Sequence, residues 1–239
     1  MKKFKFSAVI MATLIILSGC GMNNTTKGGL IGGGAGAGLG AMVGNLIGRN
    51  AGGTLIGAGI GAAVGTGAGV LIGKKMDKMK AAAEQVQNAQ VQSVKDNNGL
   101  DAVKVTFDSG ILFSSGKSQL SSTAMSNLTQ FTNNVLKAYP DCDVAIQGYT
   151  DNTGFRGSTA EESVQKNIQL SQERADAVKS YLLAQGAGHS QIKSSTGFGE
   201  NNPVASNATK EGREQNRRVE IFLYASESMI QAANEGTLQ

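Results

Sequence analysis

Glycine falls on every fourth residue at 28, 32, 36, 40, 44, 48 and 52, then in a second register at 53, 57, 61, 65, 69 and 73. In water a glycine costs a helix about 1 kcal/mol relative to alanine, so this run makes a poor soluble helix. In lipid, backbone groups must bond within the helix, and a face of small residues lets two helices pack backbone to backbone. Leu30, Ile31, Leu39, Val43, Leu46 and Ile47 supply apolar surface to the first segment. Leu55, Ile56, Ile60, Val64, Val70, Leu71 and Ile72 supply it to the second. Each segment is about 21 residues, or about 30 Å as a helix. Arg49-Asn50-Ala51-Gly52-Gly53 makes a polar turn between them, and Lys74-Lys75-Met76-Asp77-Lys78 makes an interfacial stop. The pattern predicts a glycine-zipper helical hairpin over 28–73. A flexible Gly/Ala linker has no reason to hold a four-residue period through two registers.

The chain opens on Lys2, Lys3 and Lys5, followed by an apolar run from Ala8 to Leu17. That run is shorter than the about 20 residues a bilayer span needs and suits a secretory signal. It ends in Leu17-Ser18-Gly19-Cys20, which looks like a bacterial lipobox. Residues 1–19 are therefore expected to be a cleaved lipoprotein signal, with Cys20 lipidated and 20–27 its polar N-terminal stretch. Several acyl chains on one residue give durable anchoring where one does not. Loss of residues 1–19 removes three lysines and lowers the formal charge from +4 to +1. The basic balance then belongs mostly to the signal, and nucleic acid is not an expected partner. Cys142 is left without a cysteine partner and reads as structural.

Residues 74–98 are polar helix formers with a weak stripe at Met76, Met79, Ala83 and Val86, and are read as a helical linker. From 99 to 225 the periods change. Val103, Val105 and Phe107 alternate as a strand, and Leu120, Ala124, Leu128, Phe131 and Val135 keep helical spacing up to Pro140. Val144-Ala145-Ile146 is a second strand ending at Gly148. Asn167 to Leu183 is a second helix with Ile168, Ala175, Val178 and Leu182 inward. Ile192–Thr196 and Val219, Ile221 and Leu223 complete the set. The order β-α-β-α-β-β implies an α+β sandwich, with helices over one mixed sheet. The tail, 226–239, carries no signal.

Three motifs occur in this order: Gly148-Tyr149-Thr150-Asp151-Asn152-Thr153-Gly154, then Asn167-x-x-Leu170-Ser171-x-x-Arg174-Ala175, then Asn216-Arg217-Arg218-Val219-Glu220-Ile221. They place one carboxylate and one guanidinium at the ends of core elements, where the two charges suit a zwitterion. Together the motifs resemble the OmpA-like C-terminal domain, over roughly residues 100 to 224. The resemblance implies a peptidoglycan-binding module that grips meso-diaminopimelate of the stem peptides. Asp151 would accept from the ammonium and Arg174 would fork onto the carboxylate, a geometry lysine does not offer. By the same resemblance Thr150 and Asn167 buttress the site and Leu170 packs beneath it. Ser115 and Gly116, in the turn Phe113-Ser114-Ser115-Gly116, offer backbone contacts, and Arg218 is a second cation nearby. Arg213 and Arg217 read as solvated or as ties for the loop before the last strand.

Three departures from the family pattern stand out. Tyr149 replaces the usual histidine, and Ser114 stands where aspartate is common. The stretch from Gly154 to Asn167 is about eight residues longer than usual, and is expected to form a lip over the site. No Ser/His/Asp arrangement or metal-spaced His/Cys cluster is visible, and His189 is the single histidine, so neither an enzyme nor a cofactor is expected. The expectation is a lipid-anchored outer-membrane protein, with its C-terminal domain in the periplasm, that tethers the membrane to peptidoglycan. Its partners would be peptidoglycan, outer-membrane lipid and other copies of itself through the glycine zipper. The alternative is an oligomeric pore or secretion accessory built on the hairpin.

Overall fold

The computed structural model of the chain describes residues 64–96 and 98–239. Alternation along β2 (Asp101–Asp108), β3 (Cys142–Gly148) and β5 (Arg218–Ala225) puts most of their apolar residues on one sheet face, with Ala102, Ala145, Phe222 and Tyr224 clustered on the other. With β1 (Ala89–Lys95) and β4 (Ile192–Gly197) they form a five-stranded mixed sheet in the order β1-β2-β5-β3-β4. Val105 sits opposite Ile221, and Val144 opposite Leu223, in antiparallel pairs. β3 and β4 run parallel, joined by the long crossover helix α4 (Ala160–Ala184). α1 (Thr66–Ala83), α3 (Ser122–Phe131) and α4 cover the apolar face. α2 (Ser109–Leu112), α5 (Lys210–Asn216) and α6 (Glu227–Asn234) are shorter.

The β-α-β-α-β-β order read from the sequence is present as β2-α3-β3-α4-β4-β5, and the fold class holds. Cys142 is a buried free thiol in the core, and burial pushes its ionisation up to about 12. α4 starts at Ala160, seven residues before the expected Asn167, because Thr159 and Glu162 form a reciprocal capping box. The added residues thus enter the helix as well as the loop.

The linker reading of 74–98 is corrected. Met76, Met79, Ala83 and Val86 are buried against the sheet rather than carried outward. Enclosing each methionine contributes about 1.5–3 kcal/mol, more than a solvated spacer could gain. α1 begins at Thr66 and so takes in the last glycines of the second register. Residues 89–95 form β1, an edge strand antiparallel to β2. The tail is also structured: Met229, Ile230 and Ala233 of α6 join the core, and Asn234 Oδ1 accepts from the Gly65 N–H at 3.3 Å. No described helix is long and apolar enough to cross a membrane. The signal, Cys20 and the hairpin up to residue 63 lie outside the described residues.

Candidate functional site

β3 leaves the sheet at Gly148, and a Cβ there would lie 2.2 Å from the Ser171 carbonyl oxygen. At Gly197 of β4 a Cβ would lie 2.1 Å from the Gln172 nitrogen. Both strands must be bare here, which lets α4 press its backbone on the sheet and brings Asn167, Leu170 and Arg174 beside the β3 exit. The exit is pinned by Tyr149 N–H donating to Arg218 O at 2.9 Å and Thr150 N–H to Gly199 O at 2.8 Å. The result is a cleft of about 510 Å³ between the loop after α2, the β3 exit, α4 and Arg217.

Asp151 is buried at its base. Its Oδ1 accepts from the Thr153 N–H at 2.8 Å, and its Oδ2 pairs with Arg217 Nη1. Burial pushes this carboxyl upward, but the Thr153 N–H and the Arg217 guanidinium outweigh that and hold it below its ordinary value. Arg174 is also buried; its Nε donates to Lys117 O at 3.0 Å, and its guanidinium lies 5.2 Å from the centre of the Phe113 ring. Burial, and then repulsion from Arg217, lower its proton affinity, with Asp151 acting the other way. An incoming carboxylate would relieve that repulsion.

Of the residues expected from sequence, Thr150, Asp151, Asn167, Leu170, Arg174, Ser115 and Gly116 all line the cleft. Asn167 is a buttress, its Nδ2 donating to Thr153 O at 3.3 Å and to Glu200 Oε2 at 3.2 Å. Thr150 Oγ1 and Ser109 Oγ are buried at the cleft with no hydrogen-bond partner among the described residues, which leaves them for a ligand or an ordered water. Arg218 is misplaced in the sequence reading. Its guanidinium donates to Glu220, Asn216 O and Asn202 O and stacks 3.8 Å from the centre of the Tyr149 ring. Arg217 faces the cleft instead, since successive residues entering a strand point to opposite faces. Tyr149 is not a cleft donor either: its ring stacks on Phe198 and its hydroxyl donates to Gln147 Oε1 at 2.7 Å. Arg213 ties the loop, as read, through Nη1 to Asn207 O at 2.9 Å. Phe155 and Thr153 also line the cleft, although no sequence signal marks either as a site residue.

Residues 112–217, which supply all of the cleft lining except Ser109 and Gly110, match the OmpA family. They are an OmpA family domain. Residues 1–77 match the YMGG-like Gly-zipper family, so the zipper match runs into α1. The chain is 38% identical over 144 residues to the probable lipoprotein YiaD of Escherichia coli (strain K12), covering 58% of this chain and 61% of that protein. It is 52% identical over 88 residues to the peptidoglycan-binding protein ArfA of Mycobacterium tuberculosis, covering 37% of this chain and 24% of that one. The chain therefore spans less than two thirds of both relatives. Among solved structures, a MotB-like protein from Desulfovibrio vulgaris shares the fold. That match has a TM-score of 0.53 and 23% identity, over 64% of this chain and 93% of the other. The periplasmic domain of Helicobacter pylori MotB shares it at a TM-score of 0.50 and 20% identity, over 66% of this chain and 94% of the other.

Proposed function

We propose that the chain is a non-enzymatic, lipid-anchored envelope protein whose OmpA family domain holds peptidoglycan by the zwitterionic end of a diaminopimelate stem peptide. The observation that carries this reading is the convergence of Asp151, Arg174 and Arg217 in one cleft beside two unpartnered hydroxyls. Asp151 still has lone pairs to accept an ammonium, and Arg174 makes no hydrogen bond through its Nη groups among the described residues. A ligand carrying both charges at one carbon meets both needs. The naming of one relative as peptidoglycan-binding and another as a probable lipoprotein supports the same reading. Each contact is modest and reversible, and many copies along one sacculus hold through avidity.

The test is sedimentation of the full chain with purified diaminopimelate-type sacculi, beside Asp151→Asn and Arg174→Lys. Both substitutions keep size, while one removes the charge and the other the fork. Each is expected to weaken retention by roughly tenfold or more, the scale of one charge-assisted hydrogen bond. Equal pelleting of all three proteins would overturn the reading.

A further inference from the structure

Of residues 155–166, expected to form a lip, only Phe155 lines the cleft, and it is the cleft's least explained side chain. Phe155 is half-buried, lines the cleft, and belongs to neither hydrophobic cluster of the domain. An aromatic ring placed outside the core gains little from folding, so its position calls for another contact. Its backbone is fixed on both sides: the N–H donates to Ser163 Oγ at 3.1 Å, and the carbonyl accepts from the Ser158 N–H at 3.1 Å. Lys166 Nζ donates to Ser158 Oγ at 2.7 Å and lies 5.9 Å from the centre of the Phe155 ring. The capping box of Thr159 and Glu162 locks the start of α4 just beyond. Phe155 is therefore held in place at the cleft.

Phe113 and Leu170 supply the other apolar lining, while Asp151, Arg174 and Arg217 supply all the charge. A charged base with apolar walls fits a zwitterionic head on an aliphatic stem. Resting on the reading above, we infer that Phe155 is a specificity-determining wall that packs the methylene stem of the ligand whose head is held at Asp151 and Arg174. It selects by the stem attached to the head and does not contribute to holding the charges.

The experiment titrates the full chain, wild type, Phe155→Ala and Phe155→Leu, with two probes. One is a stem tripeptide ending in meso-diaminopimelate; the other is glycine, which has the zwitterionic head and no stem. Phe155→Ala should weaken tripeptide binding roughly tenfold, the scale of about two buried methylene groups, and leave glycine binding unchanged. Phe155→Leu should restore most of the loss, with thermal melts matching wild type throughout. Unchanged tripeptide binding by Phe155→Ala would overturn the inference. So would a parallel loss for glycine, because the side chain would then be acting through the charged base. Failure of wild type to bind the tripeptide, with Asp151→Asn equally silent, would instead remove the reading of the site itself.

Discussion

The guanidinium of Arg217 reaches the Asp151 carboxylate, while that of Arg218 lies against Tyr149 on the other side of the sheet. The two arginines should therefore fail differently. Arg217 is about one-third exposed, and buried Asp151 would keep its bond from the Thr153 N–H, so Arg217→Gln should cost the fold less than Arg218→Gln while weakening ligand binding in a titration. Arg218 and Glu220 are both buried and bonded at 2.9 Å. Arg218→Gln should cost about 3 kcal/mol in chemical denaturation by stranding a carboxylate, a loss softened by Lys104 at 3.5 Å. Asp96 gives a separate pH signature. Its Oδ1 caps the β1–β2 turn by accepting from the Asn98 and Leu100 N–H groups, its Oδ2 is buried without a hydrogen bond among the described residues, and burial raises it to about 6. Between about pH 4 and that value the folded chain holds a proton that the unfolded chain has lost, so stability falls as pH rises through this window. Asp96→Asn keeps the acceptor and should flatten that slope, which integrates to about 3 kcal/mol across the window. Urea melts at several pH values measure it.

At the scale of elements, α1 and β1 decide where the domain begins. A fragment starting at residue 99 lacks the helix that places Ile72, Met76 and Met79 in the core and the strand that pairs with β2. It should aggregate or bind a hydrophobic dye, whereas one starting at residue 64 should melt cooperatively. Within the full chain, Met76→Ala should destabilise by about 2–5 kcal/mol. The four strands and two longer helices between 101 and 225 were legible in the sequence from their apolar periods, whereas the short α2 and α5 carry too few apolar residues to show one. β1 was not, because Gln90, Gln92 and Ser93 give a half-exposed edge strand the composition of a solvated segment. The stripe on α1 was visible but its partner was not, since periodicity names a buried face and not what buries it. The same limit applied to the site. Asp151 and Arg174 came from motifs, whereas the choice between Arg217 and Arg218 depended on a single residue of register.

At the scale of the molecule, the cleft and the point where the chain enters the domain lie at opposite ends of the sheet. The cleft opens where β3 ends and β5 begins. α1 starts beside Asn234 of α6, is tied by Lys75 to Asp141 before β3, and climbs toward β1, whose first residue pairs with Phe107 at the cleft end. Its 18 residues cover about 27 Å. Suppose the N-terminus and a bound ligand are drawn apart. The line of force then runs along the strands, so the ladders β1–β2, β2–β5 and β5–β3 are loaded in shear, with many hydrogen bonds sharing the strain. The Gly65–Asn234 contact, at the very start of the helix, is the one placed to peel. Under tension such a domain gives way first at the ligand or at that seam, and its sheet stays closed.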